Sequence, residues 1–192
     1  MVQFSDSAPH TRQVKLIILD RDGVINYDSD QFIKSPEEWR PIPGSLEAIA
    51  RLNHAGFRVV VATNQSGLGR GLFDMATLIA INDKMHKALA HVGGRIDAVF
   101  YCPHAADSAC ECRKPKPGMF IEIGHRFGVE LTGVPCVGDS VRDLQAAAAV
   151  DAQPILVLSG KGEKTLRDGV FPANTIIYPD LAFVAAALLA GD

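Results

Sequence analysis

Residues 14–26, VKLIILDRDGVIN, run from an aliphatic, β-branched block straight into two aspartates, Asp20 and Asp22. A short apolar block of this kind reads as a buried strand. Two carboxylates at its end are costly, because like charges held side by side away from water need a cation or a proton to compensate them. The pair therefore points to a metal-assisted reaction centre. The alternative is a strand closed by an ordinary turn, since Asp22-Gly23 is a common turn dipeptide.

Outward from this stretch, blocks of strand character recur at 57–62, 97–101, 134–137 and 154–158, separated by longer segments with helical spacing. That alternation predicts an α/β fold, a Rossmann-like parallel sheet flanked by crossover helices. The first helix is expected over 45–55, where Ser45 follows Pro43-Gly44, Leu46, Ile49 and Leu52 share a face, and Gly56 ends the run. A second opens at Asp74 and ends at Gly93-Gly94, with further helices over 117–127, 140–149 and 180–190 and loops at 27–43 and 102–116.

With 192 residues the chain suits one domain, and its apolar content of 47% is enough for a sizeable core. The expected unit is a single domain over 1–192 with a flexible start at 1–12. Net charge is −3 and the charges of both signs are interspersed, which argues against nucleic acid or a membrane surface as partner. Residues 1–12 lack the features of a secretory signal and no apolar run is long enough for a membrane span, so a cytoplasmic location is expected. In that compartment the four cysteines are expected as thiols or metal ligands rather than disulfides.

In open α/β sheets ligands bind beyond the carboxyl ends of the strands. Three polar groups fall there: Asp20 and Asp22 after the first strand, Thr63-Asn64-Gln65-Ser66-Gly67 after the second, and Gly138-Asp139-Ser140 after the fourth. Three carboxylates offer the oxygen ligands that Mg²⁺ prefers. The Thr63 hydroxyl, nearby backbone N–H groups and Ser66 suit phosphoryl oxygens, and Lys114 adds a positive charge. Together they fit phosphoryl transfer, in which positioning and charge neutralisation do most of the catalysis.

A second cluster is Cys102, His104, Cys110 and Cys112. Three thiols and an imidazole make a tetrahedral zinc set, and four protein ligands leave no open position, so the role is structural. The absence of a Cys-x-x-Cys spacing weakens a redox reading. A zinc-braced loop over 102–112 would aim Arg113 and Lys114 at the site.

The motifs DRDGVIN, TNQSGLGRG, RKPKPG and VGDS, in this order over about residues 14–160, resemble the haloacid dehalogenase (HAD) superfamily of phosphatases. The resemblance implies that Asp20 attacks phosphorus to form an aspartyl-phosphate while Asp22 protonates the leaving oxygen and then activates water. It places Thr63 and Lys114 on the phosphoryl group, and Mg²⁺ on Asp20, the Asp22 backbone carbonyl and Asp139. The zinc loop is similar to the histidinol-phosphate and heptose-bisphosphate phosphatase branch, whose members lack a large cap domain; the segment from Asp22 to Thr63 has room for only a loop and a helix. DRDGVIN and NQSGLGRG look more like the heptose side. That side implies removal of the 7-phosphate of a heptose 1,7-bisphosphate, a precursor step for lipopolysaccharide core, by a monomer acting on a phosphorylated sugar. The five-residue gap between His104 and Cys110 keeps histidinol phosphate as the alternative.

On the same resemblance Asp28, Ser29 and Phe32 lie near the sugar with Asn64, Gln65 and Ser66, although this loop departs from the usual Asp-x-Gly-Tyr pattern. Arg113 is the candidate for the distal part of the substrate, because a guanidinium binds phosphate or hydroxyls in a bidentate manner. Arg21 is expected to point away from its two neighbours, as alternate residues of an extended segment do. Asp143 either orients the lysine or is an exposed helix acid, and Arg70 either assists or is a solvated charge. Gly160-Lys161-Gly162 lacks Walker spacing and reads as a surface turn. Trp39 reads as an anchor for its proline-rich loop, Cys136 as a buried thiol, and His10, His54, His86, His91 and His125 as surface or packing residues. Two rival classes are a receiver-like domain, which would hold phosphate without turnover, and a zinc-dependent interaction module, whose function would survive Asp20→Asn.

Overall fold

Leu16–Leu19 is buried at all four positions and forms β1 of the computed structural model, which describes residues 14–191. The other strands are β2 (Arg58–Asn64), β3 (Ala98–Cys102), β4 (Pro135–Gly138), β5 (Gln153–Val157) and β6 (Ile176–Tyr178). All pairs are parallel and the spatial order is β3-β2-β1-β4-β5-β6. Successive side chains of a strand face opposite sides, and the two sides feed separate cores. Ile17, Leu19, Val59 and Val61 face α1 (Ser45–His54), α3 (Met75–His91) and α7 (Leu181–Ala190) through Ile49, Leu52, Ile81, Met85, Leu89 and Val184. Leu16, Ile18, Val60 and Ala62 face α4 (Gly118–Phe127) and α5 (Val141–Ala148) through Phe120, Ile123 and Ala146. Burying each such aliphatic side chain contributes roughly 1.5–3 kcal/mol, so β1, covered on both faces, is a rigid base for the residues at its end.

The sheet grows from β1 to β3 in one direction and from β4 to β6 in the other. The chain therefore reverses at the β1/β4 boundary, where Leu19 pairs with both Val61 and Val137. A crevice opens beyond the carboxyl ends of the strands at such a switch point.

The five expected strands and five expected helices are present, with ends shifted by a few residues. Two short helices, α2 (Ser66–Gly69) and α6 (Gly162–Asp168), and the three-residue β6 are additions. Between β1 and β2 lie only a loop and α1, so no large cap is inserted there. Trp39 is buried and anchors that loop, and Lys84 Nζ on α3 donates to the carbonyls of Pro36 and Trp39 at 2.6 and 2.9 Å. Cys136 is buried, as expected. The expected flexible start at 1–12 and His10 lie outside the described residues. Among the described residues no helix is long and apolar enough to cross a membrane.

Candidate active site

The strand ends converge on a cavity of about 310 Å³ whose lining includes Asp20, Asp22, Thr63, Lys114 and Asp139. Asp20 stands one residue beyond β1, and its Oδ1 accepts the Arg21 backbone N–H at 2.7 Å and faces Lys114 Nζ at 3.2 Å. Burial pushes its carboxyl up to about 7, with Lys114 opposing and Asp143 and Asp22 adding to the rise. Asp139 is pushed up to about 8, first by burial and then by Asp143 and Asp20. A carboxylate oxygen from each of Asp20, Asp139 and Asp143 lies within 4.8 Å of the others. Oxygens gathered this closely, on groups that resist ionisation, match the donor chemistry of a divalent cation. Gly23, at φ 86°, leaves room for them: a Cβ there would sit 2.0 Å from Asp139 Oδ2.

Asp22 has the opposite environment. Its carboxylate accepts Arg21 Nε and Nη2 at 3.1 and 3.0 Å, Asn26 Nδ2 at 2.8 Å and Gln65 Nε2 at 3.0 Å. Burial would raise its carboxyl, but the Arg21 charge and these bonds outweigh it and hold the group below the usual range. The expectation that Arg21 points away is overturned: it is fully buried, paired with Asp22 and bonded through Nη1 to Asn82 on α3 at 3.3 Å. The physical reason is that β1 ends at Leu19. Beyond it the N–H groups of Val24, Ile25 and Asn26 converge on the Arg21 carbonyl at 2.9–3.4 Å, and strand alternation does not extend into such a turn.

Lys114 is buried, and its ammonium donates to Asp143 Oδ1 at 2.5 Å and to the Ala62 carbonyl at 2.7 Å as well as facing Asp20. Burial favours the neutral amine, yet Asp143 and Asp20 raise its proton affinity above the ordinary lysine value. Asp143 is thus the lysine's partner and not an exposed acid. Its Oδ2 accepts the Ser140 N–H and hydroxyl, closing a capping box at the start of α5. Asn64, expected on the substrate, exchanges two 3.1 Å bonds with the Lys114 backbone and so fixes where that side chain starts. Gln65 Nε2 also reaches Thr63 Oγ1 at 2.9 Å, tying Thr63 to Asp22.

Asp28, Ser29, Phe32, Ser66, Arg70, Arg113 and Arg142 all border the same cavity. Arg113 is half-buried, its Nη1 donating to the His104 carbonyl at 3.4 Å. Gly160-Lys161-Gly162 is a second correction. Instead of a detached surface turn, it forms a wall of the site: Lys161 N–H donates to Asp139 Oδ2 at 2.8 Å, and Ser159 Oγ donates to the Gly23 carbonyl at 2.7 Å. The sequence signal was the pair of glycines, since at Gly160 (φ 59°) a Cβ would lie 2.3 Å from Asp139 Oδ2.

Beside the cavity, Cys102, His104, Cys110 and Cys112 form one cluster. Cys102 Sγ lies 3.8 Å from Cys110 Sγ and 3.2 Å from Cys112 Sγ, and His104 Nδ1 lies 3.2 Å from Cys112 Sγ. Tetrahedral zinc with Zn–S of about 2.3 Å spaces its sulfurs by about 3.8 Å; the Cys102–Cys110 pair has that spacing and the Cys102–Cys112 pair is closer, while three thiols and an imidazole are the donor types that ion takes. Burial, with bonds from Cys112, pushes the Cys102 thiol up to about 12.

A parallel α/β sheet with two carboxylates two residues apart, a threonine, a lysine and a further buried carboxylate along its carboxyl edge defines a HAD-like phosphatase. In agreement, the model of the HAD-hydrolase-like family matches residues 111–183. The chain is 62% identical over 176 residues to D-glycero-beta-D-manno-heptose-1,7-bisphosphate 7-phosphatase of Bordetella bronchiseptica, covering 92% of this chain and 98% of that one. It is 56% identical to the protein of the same name from Pseudomonas aeruginosa, covering 91% and 97%. The crystal structure of D,D-heptose 1,7-bisphosphate phosphatase from B. bronchiseptica complexed with magnesium and phosphate superposes with a TM-score of 0.92 at 61% identity, covering 93% of this chain and 99% of that chain. The chain belongs to the D-glycero-beta-D-manno-heptose-1,7-bisphosphate 7-phosphatase family.

Proposed function

We propose that this protein removes the 7-phosphate of D-glycero-β-D-manno-heptose 1,7-bisphosphate through an aspartyl-phosphate on Asp20. The observation that carries the mechanism is the division of environments between two carboxylates two residues apart. Asp20 faces the Lys114 ammonium, while Asp22 faces Arg21, Asn26 and Gln65. Neighbouring acids whose environments separate them so strongly take different roles. The substrate assignment rests on the relatives' shared activity and on the cations Arg70, Arg113 and Arg142 at the cavity, which suit a ligand with a second phosphate.

In the first half-reaction an Asp20 carboxylate oxygen attacks phosphorus and the bond from phosphorus to O7 breaks. Lys114 and Thr63 take up negative charge on the equatorial oxygens. An incoming phosphate dianion beside Asp22 raises the proton affinity of that carboxylate by like-charge repulsion. Asp22 then takes up a proton from solvent, and that proton passes to O7 as its bond to phosphorus breaks. In the second half Asp22 accepts a proton from water as the water oxygen bonds to phosphorus, and the Asp20–phosphorus bond breaks to release phosphate. Asp20, the Asp22 backbone carbonyl and Asp139 would hold Mg²⁺, which when bound neutralises carboxylate and phosphoryl charge. Cys102, His104, Cys110 and Cys112 would hold a structural Zn²⁺ that braces the loop before Arg113. We read residues 1–192 as one cytoplasmic domain acting as a monomer.

The test is a panel of both anomers of the heptose bisphosphate, histidinol phosphate and sugar monophosphates, with phosphorus NMR to identify the departing group. Release of the 7-phosphate with preference for the β anomer is expected. Preference for histidinol phosphate overturns the substrate reading.

A further inference from the structure

We propose that Lys161 is a positioning residue that latches the acidic entrance loop, through Asp28 and Asp30, to the turn that orients Asp139. The inference rests on the substrate reading above only for its kinetic consequence. Lys161 is tied at both ends. Its backbone N–H donates to Asp139 Oδ2 at 2.8 Å, and its ammonium lies 2.8 Å from Asp28 Oδ2 and 3.2 Å from Asp30 Oδ1. The turn it sits on cannot drift, because Ser159 Oγ holds the Gly23 carbonyl and Thr165 Oγ1 donates to the Asp139 carbonyl at 2.8 Å. One residue thus links the cation-binding carboxylate to the loop that borders the mouth of the cavity.

That loop needs an external tie. Phe32 is a non-glycine residue at φ 66°, a conformation that persists only where the surroundings enforce it. Two contacts reach the segment from other elements, Lys161 on Asp28 and Asp30 and the Arg70 guanidinium 5.7 Å from the Phe32 ring centre, while Lys34 Nζ closes the loop from within on the Gln31 carbonyl at 2.7 Å. The latch has an electrostatic effect as well. Two carboxylates at the mouth of a site repel an incoming phosphate ester, and an ammonium between them cancels that repulsion while holding them aside. The expected signature is therefore a change in substrate affinity rather than in the chemical step.

The experiment compares Lys161→Met and Lys161→Arg by steady-state kinetics on the heptose bisphosphate and by hydrogen–deuterium exchange over residues 28–33. Partly exposed ion pairs are weak, so Lys161→Met should raise KM about threefold to tenfold, with kcat moving less than KM. Exchange at 28–33 should become faster, and Lys161→Arg should restore both readouts. Asp28→Asn in the Lys161→Met background should add little further rise in KM, because the two act as a pair. Unchanged KM and exchange in Lys161→Met overturn the latch, as do fully multiplicative effects of the two substitutions, which would mean that Lys161 acts on substrate without the loop. If the native protein does not turn over the bisphosphate, the substrate reading fails, and the exchange experiment still decides the latch.

Discussion

Replacing Asp143 by alanine removes both jobs of one carboxylate. Oδ2 caps α5 through Ser140, and losing such a cap costs about 1 kcal/mol. Oδ1 pairs with Lys114, which is 2% exposed, and breaking a buried pair costs about 3–5 kcal/mol because the remaining charge is stranded. Here Lys114 keeps Asp20 and the Ala62 carbonyl, which places the loss near the lower end. The total is about 4 kcal/mol, a large part of the roughly 5–15 kcal/mol that holds a typical domain together. Urea unfolding in Mg²⁺-free buffer should show this as a lower midpoint with an unchanged slope. Without Asp143 the ammonium is drawn toward Asp20, so turnover should fall by about 10²-fold, the scale of a small misplacement in an active site. Lys114→Met alone should also destabilise, and the double variant should lose less than the sum of the two. A loss below about 1 kcal/mol, or strict additivity with Lys114→Met, would refute the reasoning that the pair is a buried, coupled unit.

Asp20→Asn and Asp22→Ala should each lower Mg²⁺-dependent phosphate release by about 10²–10⁴-fold while zinc content remains, and Asp22→Ala should also lower the urea midpoint because it strands the fully buried Arg21 guanidinium; normal turnover by the Asp20 variant removes it as nucleophile. Metal analysis should find about one zinc per chain, and Cys110→Ala should lose it together with activity, since a four-ligand site rarely survives loss of a ligand. A zinc-free native protein with full activity contradicts that role. The Mg²⁺-free protein should lose stability as pH rises from about 4 to about 8. Asp20 and Asp139 have raised values of about 7 and about 8 in the folded state, so the native protein binds more protons than the unfolded chain across this window and each rise in pH favours unfolding. Asp22, held low, acts in the opposite sense only in acid, at and below the ordinary carboxylate range. Urea midpoints at pH 5 and pH 8, with and without Mg²⁺, check this: the ion should restore stability mainly at pH 8, and a flat profile without it contradicts the reading.

The sheet was legible because its strands carry their own signal. A run such as Leu16–Leu19, buried on both faces, must be apolar throughout, and helices such as α3 repeat apolar residues at helical spacing. The short elements carried none: β6 has three residues and α2 has four, fewer than a period needs to declare itself. Asp20, Thr63 and Asp139 could be grouped in advance because each lies at or just beyond the carboxyl end of a strand and all strands are parallel, so one rule about carboxyl ends covers the three. The cluster from Cys102 to Cys112 was legible because its ligands are close along the chain.

Other features were decided by the tertiary structure, because they are contacts between distant segments or depend on a local turn. Lys114 meets Ala62 across 52 positions and Ser159 meets Gly23 across 136, and no local pattern encodes such pairings. Arg21 is the instructive case: it stands two residues past the end of β1, where strand alternation has lapsed and a turn brings its guanidinium back onto Asp22. Lys161 is its counterpart: a glycine-flanked lysine with no motif, made part of the site by the close approach of its turn to Asp139 and Gly23. The sequence by itself determined which chemical groups stand at the sheet edge, because strand periodicity and parallel order are local properties. The tertiary structure alone decided which neighbour neutralises each group, because burial and Coulomb energy depend on distances between parts of the chain that only folding brings together.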